Sequence, residues 1–308
     1  MKWEKKGLIV TPQGGQGLYN SHPTPLIKEK EGIVRIYVSI RPQQTLSLTT
    51  YVDLDIYDLT KIVYMPPKPI LELGERGMFD EHGIMPASVI ENDGLVYLYY
   101  SGWQRSVGVP YNNNTGVAIS EDGGVTFRKY SKGPILSRTM HEVYSATSPL
   151  VLKHQDKWHA WYSSGTHWHL LNDKLEHTYD IKYALSDDGL HWLQTNEIAI
   201  KQRDEFEAIN RPAIIEIGAT FHMWYCYRGS VGFRHGGQES YRLGYAYSVD
   251  LKNWTRADDQ AGIALSDSGW DSEMMEYPSI ISLNGDVLIF YNGNGFGKEG
   301  FGYAKLVM

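Results

Sequence analysis

Glu81, Glu207 and Glu273 each stand five residues before a proline, at Pro86, Pro212 and Pro278. Carboxylates repeated at one offset point to one shared surface, and a pair of them can divide acid and base work, one giving a proton while the other takes one. More acids crowd the same neighbourhoods: Asp80, Glu142, Asp204, Glu205, Asp271 and Glu276, with His22, His82 and His141 among them. Trp103, Arg105, His167, Trp168 and His169 follow two of the apolar runs, and Arg211 and Arg228 bracket another. Flat apolar rings beside fork-shaped donors suit a sugar ring, whose C–H face lies on an aromatic plane while its hydroxyls take hydrogen bonds. The histidines together with Glu207 or Glu276 also make a conceivable divalent-metal set. Their offsets of 3, 4 and 8 residues before Pro25, Pro86 and Pro149 form no regular ligand ring. They are read as hydrogen-bonding or acid–base groups, and no metal or cofactor is assigned.

A repeat must position these residues. "MPASVIENDGLVYLYYSGW" from Met85 returns as "SPLVLKHQDKWHAWYSSG", "RPAIIEIGATFHMWYCYRG" and "YPSIISLNGDVLIFYNG". Prolines 86, 149, 212 and 278 are 63, 63 and 66 residues apart, and "HPTPLIKEKEGIVRIYVSIR", aligned on Pro25, supplies a fifth copy. After three of the hairpins come "GVAISEDGGVTF", "KYALSDDGLHW" and "GYAYSVDLKNW", a strand ending in a Ser-x-Asp turn. A short apolar tetrad such as "PILS" then completes four strands per repeat. The last repeat stops at "GYAKLVM", and the missing strand is found at the other end as "KWEKKGLIVT". A split copy is the mark of a closed ring, so the expected fold is all-β: a five-bladed β-propeller over residues 1–308 as one domain, its last blade completed by the N-terminal strand. The turns on one face are short and those on the other long, so the long-loop face is expected to carry function.

The formal net charge is −7, with no long basic run, which argues against nucleic acid and anionic membrane as partners. No window reaches the length of a membrane span. One cysteine, Cys226, precludes an intrachain disulfide and fits a cytoplasmic location. Oligomeric state is not legible.

The pattern P-x-h-h…Y-x-h-x-Y-x-G followed by G-x-A-x-S-x-D-G-x-x-W resembles the five-bladed propeller glycosidases: arabinanases and xylosidases, invertases and levansucrases, and mannoside phosphorylases. The resemblance implies a carbohydrate or sugar-conjugate ligand and a glycoside-hydrolase-type reaction at the channel mouth. It also implies a carboxylate set, of which this chain keeps little: the expected acids are replaced by Thr24, Ala87 and Asn210, and only Glu276 of "MEYP" holds the acid spacing. The displaced set is then expected to be Asp80 or Glu81 as base and Glu207 or Glu276 as acid. His22, His82, Trp103, Arg105, His141, Glu142, His167, Trp168, Arg211, Arg228 and Glu273 would shape the subsite. Two other expectations stand beside hydrolysis: a propeller that binds glycans or sugar nucleotides for surface polysaccharide synthesis without cleaving them, and a metal-dependent enzyme using the histidines.

Overall fold

A computed structural model describes residues 1–11, 20–43 and 45–307 of the chain. The chain opens with β1 (Lys2–Val10), which waits for the last blade. The first blade follows as β2 (Asn20–Lys28), β3 (Ile33–Ile40), β4 (Leu48–Asp55) and β5 (Ile62–Tyr64). Blade two is β6 (Gly83–Asn92), β7 (Leu95–Arg105), β8 (Tyr111–Ser120) and β9 (Arg128–Lys129). Blade three is β10 (Ala146–His154), β11 (Lys157–Leu171), β12 (Lys174–Ser186) and β13 (Trp192–Ile200). Blade four is β14 (Ala208–Ile217), β15 (Thr220–Arg228), β16 (Arg242–Ser248) and β17 (Thr255–Arg256). Blade five is β18 (Glu276–Leu283), β19 (Asp286–Asn292) and β20 (Phe301–Val307), onto which β1 pairs antiparallel from Lys2↔Val307 to Val10↔Phe301. The inner strands touch in the order β2, β6, β10, β14, β18 and back to β2, so the ring is closed. Among the described residues no helix is long and apolar enough to cross a membrane.

Closure explains why the second strands are apolar on both faces. Alternate residues of a strand point to opposite sides, and here each side meets a different blade. Val96, Leu98 and Tyr100 of β7 pack toward blade one, while Tyr97 and Tyr99 pack toward blade three. Leu288 and Phe290 of β19 face blade one, and Ile289 and Tyr291 face blade four. An apolar cluster fills each of the five joints between neighbouring blades.

The repeated turns have local causes. Asp93-Gly94 and Asn284-Gly285 hold two successive positive φ angles, at 52° and 78° and at 51° and 83°, which is the two-residue turn that matches strand twist. In the Ser-x-Asp turns Ser120, Ser186 and Ser248 donate to Asp122, Asp188 and Asp250 at 2.7, 3.0 and 3.0 Å. Each carboxylate also accepts backbone N–H groups two to four residues on, holding the acid below its ordinary range. Blade one uses Asp55 instead, accepting from Tyr57 N–H at 2.9 Å.

Every inner strand breaks register at the same depth, between Ser21 and Thr24, Pro86 and Ser88, Thr147 and Leu150, Asn210 and Ala213, and Glu276 and Ser279. In four of these bulges a non-glycine residue directly before a proline is left-handed: His22 (φ 61°), Ser148 (50°), Arg211 (56°) and Tyr277 (53°). The proline of blade one equivalent to the others is therefore Pro23, two residues before the one that sequence spacing selects. With Pro23 the period becomes 63, 63, 63 and 66 residues.

Trp3 of β1 is buried and meets Trp224 edge-on at 5.1 Å in the joint between blades four and five. Trp3→Ala is expected to cost about 3–5 kcal/mol, seen as a lower urea midpoint with an unchanged slope. A loss below about 1 kcal/mol would mean that the ring closes without this contact.

Candidate functional site at the channel mouth

The bulges turn the residues before the prolines toward the axis. His22, Met85, Ser148 and Tyr277 line a cavity of about 320 Å³, together with Arg41, Trp103, Tyr111, Asn113, Tyr179, Asn210, Arg228, Phe233, Arg234, Tyr241 and Phe296. The fifth residue of this class, Arg211, lies one step deeper and closes the axis. It donates to the Pro86 carbonyl at 2.6 Å, to the Pro23 carbonyl at 3.2 Å, and to Thr24 Oγ1 and Ser279 Oγ at 2.7 and 3.2 Å. Its burial without a counter-charge pulls the guanidinium pKa down to about 9.

The wall is largely aromatic. His22 stacks on Tyr277 at 3.9 Å, and burial beside Arg211 and Arg41 keeps the imidazole neutral, its pKa well below the usual histidine range. Tyr111 and Tyr179 share a hydroxyl–hydroxyl bond of 3.1 Å. The long hairpin of β11 and β12 brings Tyr179 to the wall, and nearer its turn Trp168 stacks on His177 at 4.1 Å. The Trp103 indole lies over Gly83, where any side chain would overlap it. Trp103 Nε1 and Asn113 Oδ1 are buried at this wall with no hydrogen-bond partner among the described residues. Unpaired polar atoms in a lined cavity suit a polar ligand.

The acids anticipated from sequence divide into two sets. Asp80 is buried within blade two, 2.6 Å from Lys129 Nζ and accepting from the Tyr100 hydroxyl at 3.1 Å. Glu142 makes the matching pair in blade three, with Lys182 at 3.1 Å and the Tyr162 hydroxyl at 2.9 Å. Asp271 repeats it in blade five with Lys5 at 2.7 Å and the Tyr291 hydroxyl at 3.0 Å. Glu207 is the blade-four version, held by Arg256 at 2.7 and 2.8 Å and by Arg203 at 2.8 Å. These four acids clamp the loop entering a blade to that blade's own later strands. Glu81 pairs with His82 at 3.0 Å, and Glu273 is exposed on the rim. None of these acids is among the cavity-lining residues.

Glu276 is different. It is fully buried, neither oxygen has a hydrogen-bond partner among the described residues, and its charged neighbours are Arg41 and Arg228 of the cavity wall. Desolvation outweighs both cations and holds the carboxyl well above its ordinary pKa, which favours the protonated form.

Of the other anticipated residues, His22, Trp103 and Arg228 line the cavity. His82 lies 5.8 Å from the Trp103 ring, and Arg105 is exposed at the end of β7. His141 and His167 are exposed, the latter 4.4 Å from His169. The three loop histidines are thus held apart, and no group of three or more His, Cys, Asp or Glu among the described residues forms a metal cage. Arg41, Tyr111, Tyr179, Phe233, Arg234, Tyr241, Tyr277 and Phe296 were not anticipated. One signal was present for Met85, Ser148 and Tyr277, since each directly precedes an inner-strand proline.

No protein-family model matches the chain. Two Mycobacterium tuberculosis proteins, "Uncharacterized protein MT1551" (strain CDC 1551 / Oshkosh) and "Uncharacterized protein Rv1502" (strain ATCC 25618 / H37Rv), are each 35% identical over 309 residues, covering 99% of this chain and 99% of their own length. Among solved structures, a protein titled "Glycoside hydrolase" superposes with TM-score 0.75 at 18% identity over 99% of this chain and 92% of its own. A thermostable family-43 glycoside hydrolase gives TM-score 0.71 at 15% identity, over 97% of this chain and 93% of its own. Identities this low establish the shared fold: a glycoside-hydrolase-type β-propeller.

The two kinds of acid predict opposite pH behaviour. Glu207 has its pKa lowered by its arginines, so its stabilisation is complete above the unfolded value of 4.5 and fades as pH falls through the folded one. Glu207→Gln should therefore destabilise at neutral pH and become nearly neutral in acid. Glu276 has a raised pKa, so its favourable contribution is present below 4.5 and is lost as pH rises. Glu276→Gln should leave acid stability unchanged and raise stability above neutrality. Melting curves across pH test both, and like-signed profiles would contradict the assignment.

Proposed function

The chain belongs to the protein family that includes MT1551 and Rv1502 of Mycobacterium tuberculosis, and on that premise, with its glycoside-hydrolase-type fold, we propose that the cavity binds a carbohydrate or sugar conjugate and cleaves a glycosidic bond in it. Glu276 carries this reading. A buried carboxyl kept protonated beside a lined cavity is what a general acid requires. It would give its proton to the leaving glycosidic oxygen as the bond to the sugar carbon breaks. Trp103, Tyr111 and Tyr277 offer planes for the sugar's C–H faces, and Asn113, Asn210 and Ser148 offer partners for its hydroxyls. The buried reduced thiol of Cys226 suits a cytoplasmic setting.

A second reading, recognition without cleavage, is favoured by one observation. Glycoside cleavage ordinarily uses two carboxyl groups, and no acid is among the described cavity-lining residues. Residues 12–19 and residue 44, beyond the described part of the chain, contain no Asp or Glu. Asp80, Glu142 and Glu207 are meanwhile held in ion pairs.

Product release from a panel of glycosides, oligosaccharides and sugar nucleotides separates the two. Under the first reading Glu276→Gln lowers kcat by about 10²–10⁴ with ligand affinity retained, and wild-type activity falls as pH rises and the acid loses its proton. Saturable binding without turnover by the wild type would establish recognition instead.

A further inference from the structure

We propose that the ligand of this cavity is anionic, a sugar bearing either a carboxylate or a phosphate, and that Arg228 and Arg234, with Arg41 beside them, receive its charged group. The proposal rests on the carbohydrate reading above and narrows it.

The charge of the lining is one-sided. Its three arginines are Arg41, Arg228 and Arg234, and no Asp, Glu or Lys is among the described lining residues. This stands in a chain of net charge −7. A cationic cleft in an acidic protein is a local arrangement that attracts anions.

Arg228 is the clearest case. Its side chain is 4% exposed, yet its hydrogen-bond partners among the described residues are all neutral: the Tyr241 hydroxyl at 3.3 Å, the Gly229 carbonyl at 2.8 Å and the His177 carbonyl at 2.8 Å. A guanidinium has five N–H donors, so these bonds leave one N–H on each terminal nitrogen. Burying a cation against neutral acceptors alone is costly. A bound anion would supply the missing counter-charge, and the planar fork matches carboxylate and phosphate oxygens.

Arg234 adds a second cation at the same place. The Cζ atoms of Arg228 and Arg234 lie 3.7 and 4.1 Å from the centre of one ring, Phe233, so two like charges flank a single aromatic side chain. Arg234 is held by the buried Glu176, with one contact at 2.9 Å, and it lines both the cavity and the adjoining groove of residues 106–110 and 173–176. Glu176 pairs with both terminal nitrogens of Arg234 and offsets that charge, so the cation of the cluster that lacks an acid partner among the described residues is Arg228. Burial favours the uncharged forms of His22 and Glu276, while Glu239, against Gly229, and Glu273, beside Gly236, stand exposed on the rim.

Calorimetric titration with matched probes tests the proposal: glucuronic acid and a glucosyl phosphate against glucose, with inorganic phosphate alone as a fourth ligand. At least one anionic sugar is expected to bind about tenfold or more tightly than glucose, to weaken at high ionic strength, and to lose about tenfold in affinity in Arg234→Gln. Arg234→Gln also leaves the buried Glu176 without its partner, so a melting curve accompanies the titration and only folded protein is compared. Arg228→Lys, which keeps the charge and loses the fork, should fall between wild type and Arg234→Gln. Whichever of the two acids binds more tightly identifies the source of the charge. Glucose binding as tightly as both anionic sugars overturns the proposal and leaves the carbohydrate reading intact. Phosphate binding without binding of any sugar supports the anion site and overturns the carbohydrate reading. No binding by any of the four overturns the proposal, and the glycoside panel then decides the carbohydrate reading separately.

Discussion

The ring depends on how its axis is filled. Five inner strands converge there, each broken by a bulge beside a proline, and a proline contributes a carbonyl but no N–H. Carbonyls thus face a channel with few donors to meet them. Arg211 of blade four supplies those donors, binding the carbonyls of Pro23 and Pro86 and the hydroxyls of Thr24 and Ser279. One side chain joins four of the five blades where no backbone pairing can do so. The cost is a buried charge without an acid partner, visible in its lowered pKa. The same residue braces the cavity from behind its lining, since His22, Met85 and Asn210 each sit beside a residue that Arg211 binds or beside Arg211 itself.

Away from the axis, the blades are tied by acids. Asp80, Glu142, Glu207 and Asp271 each meet a cation from a later strand of their own blade, and three of them also accept from a tyrosine hydroxyl of the second strand. A buried carboxylate needs such partners to remain charged. Recurrence at similar positions is therefore a property of the blade as a building unit, and it draws most of the loop acids away from the channel. What reaches the channel is set by the left-handed residue before each proline, and those residues are His, Ser, Arg and Tyr. The cavity is consequently aromatic and cationic, with Glu276 and the Arg234 partner Glu176 as buried acid neighbours.

This arrangement ties fold to chemistry through desolvation. The packing that buries Glu276 raises its pKa, and the packing that buries Arg228 leaves it hydrogen-bonded to neutral acceptors alone among the described residues. Both effects come from the aromatic wall, where Tyr241, Tyr277 and Phe233 exclude water from groups that would otherwise be solvated. The proposed proton donor and the proposed anion-attracting fork thus owe their character to the same desolvating wall.

The repeat, the first three strands of each blade, the Ser-x-Asp turns and the closure by "KWEKKGLIVT" were legible in the amino-acid sequence. They follow from local patterning, in which alternation, turn residues and a split copy each leave a mark in the chain itself. The fourth strand instead falls at Ile62–Tyr64, Arg128–Lys129 and Thr255–Arg256, ahead of the tetrads "PILE", "PILS" and "IALS" that were expected to form it, and of the first four blades only blade three keeps its tetrad at the end of the strand. Registration failed by two residues in blade one, because "HPTP" contains two prolines and only the bulge shows which of them faces the axis. The carboxylates were legible as a set but not in their roles, since Asp80 and Glu81 are neighbours in the chain and point to different partners in space. Whether an acid is paired, exposed or buried alone depends on residues tens of positions away, such as Lys129 for Asp80, Arg256 for Glu207 and Arg228 for Glu276. Sequence alone therefore determined the ring and its seam, where the interactions are between near neighbours and repeats. Only the tertiary structure decided which side chains face the channel and in what charge state, because burial and electrostatic pairing arise only when distant strands are brought together.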